Sequence, residues 1–160
     1  MLNMEKIDKK DKKILNAMIH DGRASVSDIA RKTGMPRDSV HYRVQRLLKT
    51  KVIRFIHTLI DPVKLGYPIY TYVAFTLSNF DNAREEKFYR FLTEHRNIVY
   101  VVKTTGKWDC MIAISAKTLE HFDTIMRDIR HEFSDIIKDF ESASIIQEKK
   151  FDSMVELIEG

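Results

Sequence analysis

Residues 25–49 read SVSDIARKTGMPRDSVHYRVQRLLK, and their spacing predicts two short helices around a glycine turn. Ser25-Val26-Ser27-Asp28 has the form of a capping box, with Asp28 where Glu or Gln is usual. Val26, Ile29 and Ala30 fall on one face, and Gly34 ends that helix after about two turns. The second helix is predicted over Arg37–Lys49, where Val40, Val44, Leu47 and Leu48 recur at i, i+4, i+7 and i+8. Upstream, Asp8 can cap a helix over Lys9–His20. Asp11 lies in its first turn, where a carboxylate suits the helix dipole. Ile14, Leu15, Met18 and Ile19 supply its apolar face, and Asp21-Gly22 stops it. Three such helices, the last basic outside, make a helix-turn-helix arrangement.

On a helical wheel Asp38, Tyr42, Gln45, Arg46 and Lys49 lie opposite the buried stripe of the third helix. Ser39 stands beside them, with Arg37, His41 and Arg43 on the flanks. If this helix enters a major groove, Asp38, Ser39 and Tyr42 reach base edges, while Arg46 and Lys49 meet phosphates. Three of the positions have other readings. Arg43 is as well suited to an ion pair with an acid of the first helix as to a phosphate. His41 reads as a partly packed surface residue before it reads as a base reader. Asp38 would repel phosphates and suits either a cytosine amino group or solvent.

The charge supports a polyanion partner for this part of the chain alone. Residues 1–60 hold 14 basic and 6 acidic side chains, whereas residues 61–160 hold 13 and 17. A front half at +8 and a back half at −4 are concealed within a total of +4. Between Gly22 and Arg54 there are nine basic residues, with only Asp28 and Asp38 as acids. That is the electrostatic footprint of duplex DNA binding.

The remaining sequence alternates strand and helix. Val52–Leu59 is β-branched and aromatic and predicts a strand, which Asp61-Pro62 ends. Further strands are predicted over Ile69–Leu77, Ile98–Thr104, Asp109–Ser115 and Lys138–Glu148. Helices are predicted from Asp81 or Asn82 to about His95, with Phe88, Phe91 and Leu92 inward, and after a Thr118 cap. The second of these would bury Leu119, Phe122, Ile125, Met126, Ile129 and Phe133. The order β-α-β-β-α-β from Ile69 is the split βαβ of ferredoxin-like folds, so the fold class is α+β. Domain limits follow at 1–51, a strand linker at 52–66, and 67–160. Helices on one side leave the other sheet face aromatic and aliphatic, and a second copy of the chain is its simplest cover. A dimer would also present two recognition helices to two half-sites about one DNA turn apart.

Composition removes other classes. At 44% hydrophobic and 31% charged, the chain has the make-up of a soluble globular protein. The lone Cys110 can form no internal disulfide and fits a reducing compartment, hence a cytoplasmic location. The first thirteen residues carry five Lys and no apolar run, so no signal peptide is expected. The longest uncharged stretch, Leu65–Phe80, is too short and too polar for the roughly 20 apolar residues of a membrane span. Glycines stand only at 22, 34, 66, 106 and 160, too scattered for a GxGxxG or GxxxxGK[ST] phosphate loop. No two His lie at i, i+4 and no Cys pair exists, so neither a metal nor any other cofactor is expected.

With these pieces in order, the chain resembles the Lrp/AsnC family of transcription regulators over nearly its whole length. The resemblance is carried by Ile7-Asp8-Lys9-Lys10-Asp11-Lys12-Lys13-Ile14-Leu15, Asp21-Gly22-Arg23-Ala24-Ser25 and Ile29-Ala30-Arg31-Lys32-Thr33-Gly34. Val40-His41-Tyr42-Arg43-Val44-Gln45-Arg46-Leu47, Val52-Ile53 and Thr105-Gly106-Lys107-Trp108-Asp109-Cys110 complete it. It implies a winged or extended helix-turn-helix, with the motif proper at Val26–Gln45, then a strand linker and an effector-sensing ferredoxin-like domain. It also implies homodimers that often assemble into octamers, and a small-molecule effector, commonly an amino acid. The family's effector pocket draws on the turn before the third strand of that domain, which here is Gly106, Lys107, Trp108 and Asp109. Glycine permits close backbone approach there, and Asp109 could accept from an α-ammonium group. The same four residues also make a serviceable hairpin turn. This chain departs from the family in placing Pro36, rather than a hydroxyl cap, before the third helix.

An enzyme is the competing expectation, because some haem-pathway decarboxylases that act on a tetrapyrrole resemble the family in both domains. Such an enzyme would want His and Arg converging on one large pocket. His95, His121, His131, Arg84, Arg90, Arg96, Arg127 and Arg130 are available, yet most fall on polar helix faces. The expectation is therefore a regulator and not an enzyme.

Overall fold

The computed structural model describes residues 5–79, 81–150 and 154–158. The chain forms two compact units, one of residues 1–59 with 149–160 and the other of residues 60–148.

Three helices build the first unit: α1 Lys9–His20, α2 Val26–Thr33 and α3 Arg37–Lys49. Each boundary has a local cause. The Asp8 side chain accepts from the N–H groups of Lys10 and Asp11, and Asp11 returns the favour to the Asp8 N–H, closing a capping box. Ser25 and Asp28 form a second box at α2. Gly34 ends α2 at φ +69°, a left-handed conformation that a glycine adopts without penalty. Ile14, Ile29, Val40, Val44 and Leu47 are buried between the three helices. Ile19, expected on the inner face of α1, is half exposed at its end instead. The last turn of the chain, Val155–Leu157, also packs on α1, with Val155 buried. Lys12 Nζ donates to Ile158 O at 2.8 Å there. Residues 149–150 and 154–158 thus belong with the helical unit.

The strand expected over Val52–Leu59 does not form. Val52 and Ile53 pack against the helical core, but among the described residues none of 54–60 enters a backbone hydrogen bond. Phe55, Ile56, Leu59 and Ile60 are exposed. Strand propensity needs a neighbouring strand to be realised, and a single chain supplies none here.

The second unit is a four-stranded antiparallel sheet in the order β2-β3-β1-β4. Its strands are β1 Ile69–Leu77, β2 Ile98–Lys103, β3 Cys110–Ala116 and β4 Ile137–Ser144. Helix α4 Asn82–Glu94 packs on β2 and helix α5 Leu119–Glu132 on β3, which gives the ferredoxin-like arrangement. Asp81 and Thr118 cap the two helices through their side chains. Val73, Phe75, Ile112 and Ile114 meet Phe88, Leu92, Ile125, Ile129 and Phe133 in the core. Each fully buried side chain of this size stabilises by about 2 kcal/mol relative to exposure. Phe88 stands edge-on to Phe75 and Phe133, at 5.9 and 5.1 Å between ring centres. Leu119, expected in this core, is 67% exposed, because the first position of α5 faces away from the sheet. β4 ends at Ser144, earlier than the expected Glu148.

On the sheet face away from the helices, Tyr70 pairs with Ser115, Tyr72 with Ala113 and Ala74 with Met111. Tyr100, opposite Ala113 on β2, extends the face. It is aromatic and aliphatic over three strands, but β4 adds Asp139 and Glu141 at its edge, which corrects the expectation of an uncharged face.

Candidate functional site

The outer side of α3 is presented much as its periodicity predicts. Arg37, Asp38, His41, Tyr42, Gln45 and Lys49 are exposed, and Ser39 is half-buried. Tyr42 keeps 69% of its surface accessible. Pro36 stands at the N-cap and supplies no side-chain cap. Gln45, which sequence reasoning set on this side but did not single out, is as accessible as its neighbours.

Arg43 and Arg46 behave differently. Arg43 Nη1 donates to both carboxylate oxygens of Asp8, at 2.9 and 2.8 Å, and to Asp11 Oδ1 at 2.8 Å. Arg46 Nη2 donates to Asp11 Oδ2 at 2.5 Å. Asp11 is completely buried, so it is the shared acceptor of two guanidinium groups and of the Asp8 N–H. For Arg43 the ion-pair alternative is the one the fold adopts. For Arg46, assigned to phosphate by the wheel, the observed partner is the first helix. The missed residue is Asp11, read only as complement to the helix dipole. Its signal was a matching interval: Asp8 and Asp11 are three apart on one helix, as are Arg43 and Arg46 on the other.

The Asp11 N–H, followed by the Arg43 guanidinium, holds the Asp8 carboxyl down at about 2, against an ordinary 3.8. A depressed carboxyl stabilises the fold fully above 3.8, and that contribution is lost as pH falls towards about 2. Asp8→Asn should therefore remove an acid-dependent component of helical-unit stability. Urea melts of wild type and variant should differ most above pH 4 and converge towards pH 2; a constant difference across that range would refute the assignment.

In the second unit the turn at 104–109 is closely tied. The Thr104 N–H donates to Asp109 O at 2.9 Å, and its hydroxyl to Trp108 O at 2.5 Å. Gly106 has φ +105°, which a side chain would strain. Lys107 Nζ lies 4.1 Å from the Trp108 ring centre and 3.0 Å from Glu141 Oε1. Asp109 Oδ2 accepts from the Leu77 N–H at 2.7 Å, and the Asp109 N–H donates to Phe75 O. One carboxylate oxygen of Asp109 is thus spent on securing β1. Thr105, Gly106 and Lys107 are the exposed members of the turn.

Cys110 is buried beside Tyr89, and burial pushes its thiol up to about 12, so it is not a nucleophile. Of the candidate His and Arg residues of an enzyme, Arg127, Arg130 and His131 line one open cleft with Ser134 and Ile137. Arg84 is held by Asp135, Arg90 by Glu86 and Arg127 by Asp123, while Arg130 stacks over Phe140. Among the described residues no three His, Cys, Asp or Glu side chains are grouped to hold a metal ion.

Known proteins fit both units. A family model for the AsnC-type helix-turn-helix domain matches residues 7–48, and one for the Lrp/AsnC ligand binding domain matches residues 71–155. The chain belongs to the Lrp/AsnC family. It is a DNA-binding transcriptional regulator with a ligand-binding domain, as the two matched domains and their relatives indicate. An uncharacterised HTH-type transcriptional regulator of Pyrococcus furiosus is 34% identical over 124 residues, 76% of this chain and 80% of that protein. The structure of LrpC from B. subtilis matches with TM-score 0.77 and 26% identity, covering 91% of this regulator and 99% of that chain. A Neisseria meningitidis transcriptional regulator in complex with L-Met shares the fold at TM-score 0.83 and 16% identity, covering 96% and 100%.

Proposed function

We propose that this regulator acts in the cytoplasm as a homodimer that reads duplex DNA with the outer face of α3. Tyr42, Ser39 and Asp38 face the bases, Arg37 and Lys49 the phosphates, and His41 the groove edge. The observation that carries this is the accessibility of that face beside a helical core that leaves it uncovered. The second unit takes a small molecule, with an amino acid as the class to test first. A family relative in fold is complexed with L-Met, and in this chain Gly106 and Lys107 offer an accessible glycine backbone and a cation for a carboxylate. Trp108 and Asp109 form the rigid base of that turn, with the second carboxylate oxygen of Asp109 as the acceptor for an ammonium group.

Two features support self-association. Among the described residues the exposed apolar segment 55–60 has strand propensity and no partner strand, and nothing covers the tyrosine-lined face of the sheet. Sedimentation should return at least a dimer; a monomer at micromolar concentration would contradict that part. The effector part is tested by calorimetry against the twenty amino acids, with Lys107→Ala as the control. Heat from one or a few ligands that Lys107→Ala diminishes supports the assignment, and silence from all twenty refutes an amino-acid effector. No catalytic step is assigned, so titration with a tetrapyrrole should leave its absorbance unchanged.

A further inference from the structure

The network around Asp11 has a role that the DNA-reading face does not itself explain. Apolar packing between α1 and α3, through Ile14, Val40, Val44 and Leu47, is non-directional and tolerates small rotations of a helix about its axis. A fully buried carboxylate that receives Arg43 on one oxygen and Arg46 on the other does not. The two arginines are one turn apart on α3, and the carboxylate is fixed in turn by the Asp8 N–H at 3.1 Å. With side chains a helix has a radius of about 5–6 Å, so turning α3 by about 20° would carry its outer groups about 2 Å. A displacement of that size breaks a hydrogen bond to a base edge.

We infer that Asp11 is a positioning residue for DNA recognition: holding Arg43 and Arg46 from α1, it sets the rotation of α3, and Arg46 acts inward on Asp11 instead of outward on a phosphate. Removing one partner of such a buried pair leaves the others uncompensated, so the network fixes one arrangement of the two helices. Arg46 then has a requirement that charge alone cannot meet. A planar guanidinium can donate to Asp11 from its place on α3, whereas an ammonium is a point charge with a different reach.

The inference rests on duplex recognition by α3, and the experiment separates the two. Full-length wild type, R46K, R46Q and D11N are titrated against a duplex carrying a selected site and a scrambled duplex, over a range of salt. Thermal unfolding of each variant sets a temperature at which it is folded. For R46K the ratio of the two affinities should fall at least about tenfold, while binding to the scrambled duplex and its salt slope stay as in wild type. D11N should do the same, and R46K decides alone if D11N does not fold. Retention of the wild-type ratio by R46K would overturn the inference. So would an equal loss on both duplexes by R46Q with a salt slope reduced by about one, the signature of a phosphate contact. Absence of discrimination by wild type itself would overturn the duplex reading beneath it.

Discussion

Raising monovalent salt from about 50 to about 200 mM should weaken duplex binding by at least about a thousandfold. Counterion release makes the logarithm of affinity fall with the logarithm of salt by about 0.9 per neutralised phosphate, and six or more contacts give a loss of this order. Two copies of α3, each with exposed Arg37 and Lys49 and an exposed Arg23 nearby in sequence, provide about that number. Arg43 and Arg46 are left out of the count because Asp8 and Asp11 already neutralise them. The measurement is fluorescence anisotropy on a labelled duplex at several salt concentrations. A loss under about tenfold would mean that the surplus of charge in residues 1–60 is not spent on phosphates.

The second large effect lies in the sensing unit. Phe88→Ala should destabilise it by about 3–5 kcal/mol, because truncating a fully buried phenyl removes its transfer energy and leaves a cavity. Phe88 is wholly inaccessible and sits edge-on between Phe75 and Phe133, so neither ring can move in without losing its own contacts. That is about a 200- to 5000-fold change in the folding equilibrium, a large part of a typical domain's stability. Leu119→Ala, at an exposed position of the same hydrophobic size class, should cost under about 0.5 kcal/mol. Urea denaturation of both variants checks the pair. Similar costs for the two would contradict the assigned core.

Helix limits were legible because caps are local. Asp8, Ser25, Asp81 and Thr118 each accept from N–H groups two or three residues on, and such chemistry is written in adjacent letters. The order of strands was legible for a similar reason: β-branched runs between turn residues follow the chain. The strand at 52–59 was not, since a strand is a property of two segments and only one is present here. Leu119 was misplaced because apolarity at a helix start does not say which way the first turn faces. Arg46 shows the limit of a helical wheel. It divides outer from inner positions, but a long side chain set on the outer side can still turn back to a buried carboxylate on another helix. The turn at 104–109 was legible as a turn. The claim on one oxygen of Asp109 by the Leu77 N–H depends on β1 and β3 lying side by side, which spacing alone does not give.

The central claim, that the outer face of α3 reads duplex sequence, is tested most directly by selecting bound duplexes from a random pool with wild type and Tyr42→Ala. Wild type should enrich two inverted half-sites centred about one helical turn apart. Tyr42→Ala should keep that spacing and lose preference at one or more base positions in each half-site. A wild-type pool no richer in any sequence than its input, or an undiminished motif from Tyr42→Ala, would contradict it.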